Sequence, residues 1–172
     1  MFVNTNKEGS VQQTLEVEYG FHSTPAPISY MLDIRDDSDP LRVSLGNAQL
    51  RPSKRHDLNI RFSRGRIRQG KFNLNVHYNK SIDDLAMGCT YNPQTGVYTY
   101  RPENVSGNWN TRLETNYTQP FGKNKLCTFY TSTSWAYLHS VDLLDSQWSV
   151  VNNHQLQEKL SWQVRFGKLG NV

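Results

Sequence analysis

The feature that most limits what this chain can fold into is its alternation of apolar and polar residues with a period of two. In residues 14–21, Leu15, Val17, Tyr19 and Phe21 alternate with Thr14, Glu16, Glu18 and Gly20. Leu58, Ile60 and Phe62 alternate with Asn59, Arg61 and Ser63. Phe72, Leu74, Val76 and Tyr78 alternate with Asn73, Asn75, His77 and Asn79. The same rhythm returns as Trp109, Thr111, Leu113, Thr115 and Tyr117, and again as Leu160, Trp162, Val164 and Phe166. Successive side chains of a strand point to opposite faces, so each segment reads as a strand with one apolar and one wet face. Residues 126–138 are extended and aromatic, with less cleanly separated faces. The phase slips near Asp83 and Asp84, as a β-bulge would make it do. No stretch carries a 3.6-residue period; residues 146–159 come nearest, but Val150, Val151, Asn152 and Asn153 interrupt them. The expected fold is all-β, an antiparallel up-and-down meander of about six strands over 13–22, 56–64, 71–91, 97–118, 125–139 and 157–167.

The connections between these strands fall into two classes. Residues 63–70 and 119–125 read as short polar turns, and 92–96 (NPQTG) as a tight hairpin tip. Residues 23–55 and 140–156 read as long excursions. Following the chain up and down puts both excursions and the hairpin tip at one end, and the short turns at the other. A transmembrane β-barrel has that asymmetry, with its remaining strands closing the wall. Composition agrees with strands wet on one side. Mean hydropathy is −0.70 and apolar residues make up 36%, yet aromatic residues reach 12%. Tyr91, Tyr98, Tyr100, Trp109, Tyr117, Phe129, Tyr130, Trp135, Tyr137, Trp148 and Trp162 recur near expected strand ends, where an interfacial girdle would sit.

Catalytic chemistry is sparse. His22, His56, His77, His139 and His154 are scattered without metal-ligand spacing. Asp36, Asp37 and Asp39 lack the order of a calcium loop and read as turn formers. Cys89 and Cys127 have no C-x-x-C spacing and read as isolated thiols. The net charge is +4, and the basic run 61–71 has no interleaved aromatic platform, so it reads as a solvated turn and not as a nucleic-acid contact. No nucleophile elbow, phosphate loop or dinucleotide fingerprint occurs. The expectation is a protein that is not an enzyme, with no catalytic, metal or cofactor-binding residues.

Three blocks carry a resemblance. The first places Asp39, Pro40 and Leu41, then Leu45, Gly46, Asn47, Leu50 and Pro52, before a strand. The second ends in Gly107, Asn108, Trp109 and Asn110. The third is the turn of residues 116–131. Over residues 10–166 the chain resembles a Bacteroidetes outer-membrane β-barrel family related to TonB-dependent receptors. The resemblance implies the outer membrane of a Gram-negative bacterium and a 22-stranded type of barrel that takes up a ligand behind an N-terminal plug. It implies outer-membrane lipid, the rest of the barrel and the plug as partners, and TonB only through the full-length protein; no nucleic acid is implied. The opening MFVNTNKEGS lacks a signal-peptide pattern, and no plug or closing strand is recognisable. Residues 1–172 are therefore expected to be a single barrel segment, inactive alone, because six strands cannot close a barrel. The motif residues are read as structural. Asn73, Asn75, His77, Arg112, Glu114 and Arg165 are expected to line the lumen. The ligand is not legible. The alternative is a soluble all-β sandwich that binds a glycan or a protein through its aromatic residues.

Overall fold

The computed structural model describes residues 2–4, 11–66, 69–122, 124–144 and 147–165. Phe166 lies outside them. The strands are β1 (Phe2–Asn4), β2 (Gln12–Thr24), β3 (Arg35–Asp39), β4 (Arg42–Leu45), β5 (Ser53–Arg66), β6 (Gly70–Ile82), β7 (Asp84–Asn92), β8 (Val97–Val105), β9 (Trp109–Phe121), β10 (Cys127–Leu144) and β11 (Gln147–Val164). A single helical turn, α1 (Ile28–Met31), interrupts them.

Six long strands form an antiparallel meander in the order β2-β5-β6-β9-β10-β11. Its register explains the alternation. Val17, Ile60, Val76, Leu113, Trp135 and Leu156 stand side by side across all six strands. One residue along, Glu16, Arg61, Asn75, Glu114, Ser134 and Gln157 form the neighbouring row on the opposite face. A slip of one residue between any two strands would mix these faces.

The wall has no core of its own. Among the described residues the buried apolar side chains are Val43, Leu50, Pro102 and Val105, none of them in a wall strand. On the wall's apolar face Val17 is 60% exposed, Leu156 71% and Trp162 64%. A sandwich would press such a face against a second sheet. Here all strands belong to one sheet.

The strands expected over 71–91 and 97–118 each divide in two. Asp83 takes φ +55° and ends β6, and Gly107 takes φ +120° ahead of β9. Beyond these points β7 and β8 leave the meander as a hairpin that rejoins it at the far end of β10, where Cys89 pairs with Leu144 in parallel, and β4 joins β8 in parallel. The phase slip at Asp83 is thus a change of direction between two strands, with Asp83 N–H donating to Ser106 Oγ at 2.9 Å.

The excursion expected over residues 140–156 is instead strand. β10 and β11 pair continuously from Cys127–Val164 to Leu144–Gln147, with residues 145–146 between them. Polar residues on both faces hid this: Asn152, Asn153, His154 and Gln155 show no apolar alternation, yet their backbones continue the ladder. Eighteen residues at about 3.3 Å each make a strand of about 60 Å, longer than a bilayer needs.

The excursion from Pro25 to Pro52 is folded. Its motif residues dock it onto the β7–β8 hairpin. Asn47 Nδ2 donates to Pro102 O at 2.9 Å, and Asn47 Oδ1 accepts from Gln49 N at 3.0 Å. A Cβ on Gly46 would lie 1.6 Å from Leu32 O, so only glycine permits that approach. Leu50 and Val43 are buried there, whereas Leu41 is 57% exposed. Asp39 Oδ1 accepts from Leu41 N at 3.0 Å across the turn containing Pro40, and Pro52 leads into β5.

Candidate functional site

The polar face of the meander is the candidate site. Alternation brings its residues together from strands distant in sequence. Asn73 faces Asn116, Asn75 faces Glu114, and His77 faces Arg112. Five of the six expected lumen residues therefore share one surface; Arg165 lies just beyond β11, where its N–H donates to Leu126 O at 2.7 Å. Charges interleave across this surface. Arg61 reaches Glu16 at 3.5 Å and Glu18 at 3.8 Å, and Arg112 reaches Glu114 at 3.8 Å. These pairs are solvent-exposed and add little stability, so their effect is to keep the wall wet and close to neutral. His77 Nδ1 and Asn59 Oδ1 lie 2.6 Å apart. Asn79, 4% exposed, donates to Asp57 Oδ1 at 2.6 Å.

Depressions open on this face, and two of them meet at Arg112 and Glu114. One, of about 360 Å³, is lined by Asn59, Arg61, Asn75, His77, Arg112 and Glu114. The other, of about 310 Å³, continues over Ser132, Ser134, Gln155 and Gln157. A third, of about 400 Å³, lies where the folded excursion meets the wall and is lined by Pro25, Pro27, Arg55, Asp84 and Leu85. At this junction Arg51 pairs with Asp83 at 2.8 Å. Asn104 fastens the same corner: its Oδ1 accepts from Arg51 N at 2.8 Å, and its Nδ2 donates to Asp83 O at 2.8 Å. Neither Asn104 nor Asp83 stood out as a site residue in the sequence. The signal was the phase slip, which marks where a wall strand gives way to an outer hairpin.

No group of three or more His, Cys, Asp or Glu among the described residues is arranged to hold a metal ion. In the aspartate stretch, Asp36 accepts from Ser38 N and Oγ, and Asp37 pairs with Arg35 at 3.2 Å. The two Ser38 hydrogen bonds, side chain first and then backbone, hold the Asp36 carboxyl below its ordinary value. Cys89 and Cys127 are both free thiols.

The opposite face of the meander is apolar and banded. Toward the rim with short turns, rings cluster: Phe62 with Phe72 at 6.4 Å, and Phe129 with Trp162 at 4.7 Å. Toward the other rim Trp109 meets Tyr78 at 5.9 Å and Tyr137 at 4.8 Å. Between the two belts stand Val17, Ile60, Val76, Leu113 and Leu156. From Phe129 to Tyr137 is about 26 Å along the strand at 3.3 Å per residue. Thr111, on this face, turns its hydroxyl to His77 O at 3.1 Å. The belts draw on only part of the aromatic set expected from sequence. Tyr91, Tyr98 and Tyr100 sit on the outer hairpin, Tyr130 faces the polar side, and Trp148 is in the projecting end of β11, whereas Trp135 forms the inner margin of the second belt, 6.4 Å from Tyr137 and 6.2 Å from His154. Gly107, Asn108 and Trp109 join the second block to the wall: Asn108 Oδ1 accepts from Val141 N at 2.7 Å, and Asn110 follows at the polar-face position opposite Asn79.

A single sheet with one hydrated face, one apolar face, aromatic belts and tight turns on one rim defines a wall of a transmembrane β-barrel. The chain belongs to the outer membrane protein β-barrel family, whose model matches residues 3–170. Its place is the outer membrane. No curated protein matches it, and no solved structure does.

Proposed function

We propose that this chain is a wall segment of a ligand-uptake barrel related to TonB-dependent receptors, and that residues 1–172 work only together with further strands and a plug. The observation that carries this reading is the polar surface across six strands, from Glu16 and Glu18 to Gln155 and Gln157, with Ala136 the one apolar residue in those two rows. A wall that faced a packed core would not need it; a wall around a wet or plugged lumen does. β11 presents an outer edge with no strand beside it among the described residues, and a lipid-exposed edge requires a partner strand. The folded excursion of residues 25–52 and the β7–β8 hairpin extend the long-loop rim, on the side where extracellular loops lie. In this reading the chain contributes wall and ligand-facing loops and no catalysis. Its partners are outer-membrane lipid, the remaining barrel and the plug, with TonB acting through the whole protein.

The test uses the full-length protein in cells, with Cys89 and Cys127 replaced by serine and Asn75→Cys introduced. Labelling of that cysteine by a membrane-impermeant maleimide is expected to change when TonB is depleted, because an energised plug alters access to the lumen. Equal labelling with and without TonB would refute the uptake reading.

A further inference from the structure

The apolar face carries one charge halfway between its belts. On β11, Trp162 lies in one belt and His154, 4.5 Å from Tyr137, in the other; the midpoint is Glu158. On β10 the midpoint between Phe129 and Tyr137 is Thr133, which stands opposite Glu158. Thr131 Oγ1 donates to Glu158 Oε1 at 2.7 Å, and Thr133 Oγ1 donates to Oε2. On either side along β11 are Leu156 and Leu160, 71% and 64% exposed. The cations of this face stay near the rims among the described residues: Arg64 opposite Phe72, Lys80 opposite Trp109.

A carboxylate at the middle of a hydrocarbon-facing band is costly unless its charge is matched. Two hydroxyls fill the β10 side of Glu158, and they are neutral. The other side is the outer edge of β11, where no described strand runs. The backbone groups of that edge need a partner strand in lipid, and a residue directly opposite would have its Cβ about 4.5–5.5 Å away. We propose that the strand pairing with the outer edge of β11 presents a lysine or arginine opposite Glu158, forming an interstrand ion pair at mid-membrane. The proposal rests on the reading of this chain as a lipid-facing wall segment. A slip of two residues would set Glu158 against a different outward residue, so the pair also selects the register of closure.

The full-length protein, refolded into phospholipid bilayers and titrated with urea, tests this by the sign of the change. Glu158→Leu strands the opposite cation and is expected to lower the folding equilibrium constant at least about tenfold. If acyl chains alone cover Glu158, the same substitution raises the constant, and the proposal is overturned. Should Glu158→Leu not refold, Glu158→Gln, which keeps an acceptor for the threonines but no charge, gives the sign. The triple change Thr131→Val, Thr133→Val, Glu158→Leu is expected to keep the loss; recovery would trace it to the threonines and overturn the proposal. Leu160→Arg checks the underlying reading separately. It is expected to destabilise strongly, and its tolerance would bring down the lipid-facing assignment and the ion pair with it.

Discussion

Val76 and Asn75 are adjacent on β6 and differ in the face they occupy. Val76 stands in the apolar row between Ile60 and Leu113, between the belt residues Phe72 and Tyr78 of its own strand. Asn75 stands in the polar row between Arg61 and Glu114. Replacing each with arginine therefore puts the same side chain in hydrocarbon or in water. At the bilayer midplane an outward arginine costs about 2–4 kcal/mol, a factor of roughly 30 to 1,000 in the folding equilibrium at 1.4 kcal/mol per decade. Inward, the new cation would have Glu114 opposite it and Arg61 on its other flank, so the two exposed charges offset each other to within about 1 kcal/mol. Urea titration of the full-length barrel in bilayers measures both. Val76→Arg should lower the urea midpoint clearly, and Asn75→Arg should leave it nearly unchanged. Equal effects, or a larger one at position 75, would refute the assignment of faces.

Three further outcomes are expected. Gly46→Ala puts a Cβ 1.6 Å from Leu32 O; it should loosen the excursion of residues 25–52, read as faster proteolysis on intact cells with barrel stability unchanged. Asn104→Ala leaves Arg51 N, Arg51 O and Asp83 O without their side-chain partner; each unmet group that stays dry costs about 1–3 kcal/mol, and exchange of the Arg51 amide should accelerate accordingly. Asp36, held low by Ser38, favours the folded turn above its ordinary carboxylate value and loses that contribution as pH falls through its depressed folded value. Ser38→Ala should shift the Asp36 titration, followed by carboxyl NMR, upward toward the ordinary value.

The wall was legible because its physics is local. A strand wet on one side and greasy on the other writes a period of two, and strands from Leu15 to Val164 follow it. The NPQTG tip and the places of the short turns were legible from local composition, but the turns expected over 63–70 and 119–125 are narrower, because β5 runs on to Arg66 and β9 to Phe121. Gly96 at φ +73° closes that tip, with its N–H on Asn92 O at 2.8 Å. The projecting ends of β10 and β11 were hidden, because above the membrane a strand no longer needs an apolar face. The division of the two longest strands was visible only as a slip at Asp83; its meaning depends on Ser106 and Asn104, which come from another strand. Glu158 shares the parity of Leu160 and Trp162, so its outward direction was readable. Its place halfway between the belts was not, because that needs the registers of β9, β10 and β11 together.

One face of this sheet meets lipid and the other meets water. Single cysteines at each position from Phe72 to Asn79 of the full-length protein, with Cys89 and Cys127 replaced by serine, test it in native outer membranes. A membrane-impermeant maleimide should label positions 73, 75 and 77 and spare 72, 74, 76 and 78, with position 79 shielded by its burial against Asp57. Uniform labelling, or labelling of the opposite set, would show that the two faces do not divide lipid from water.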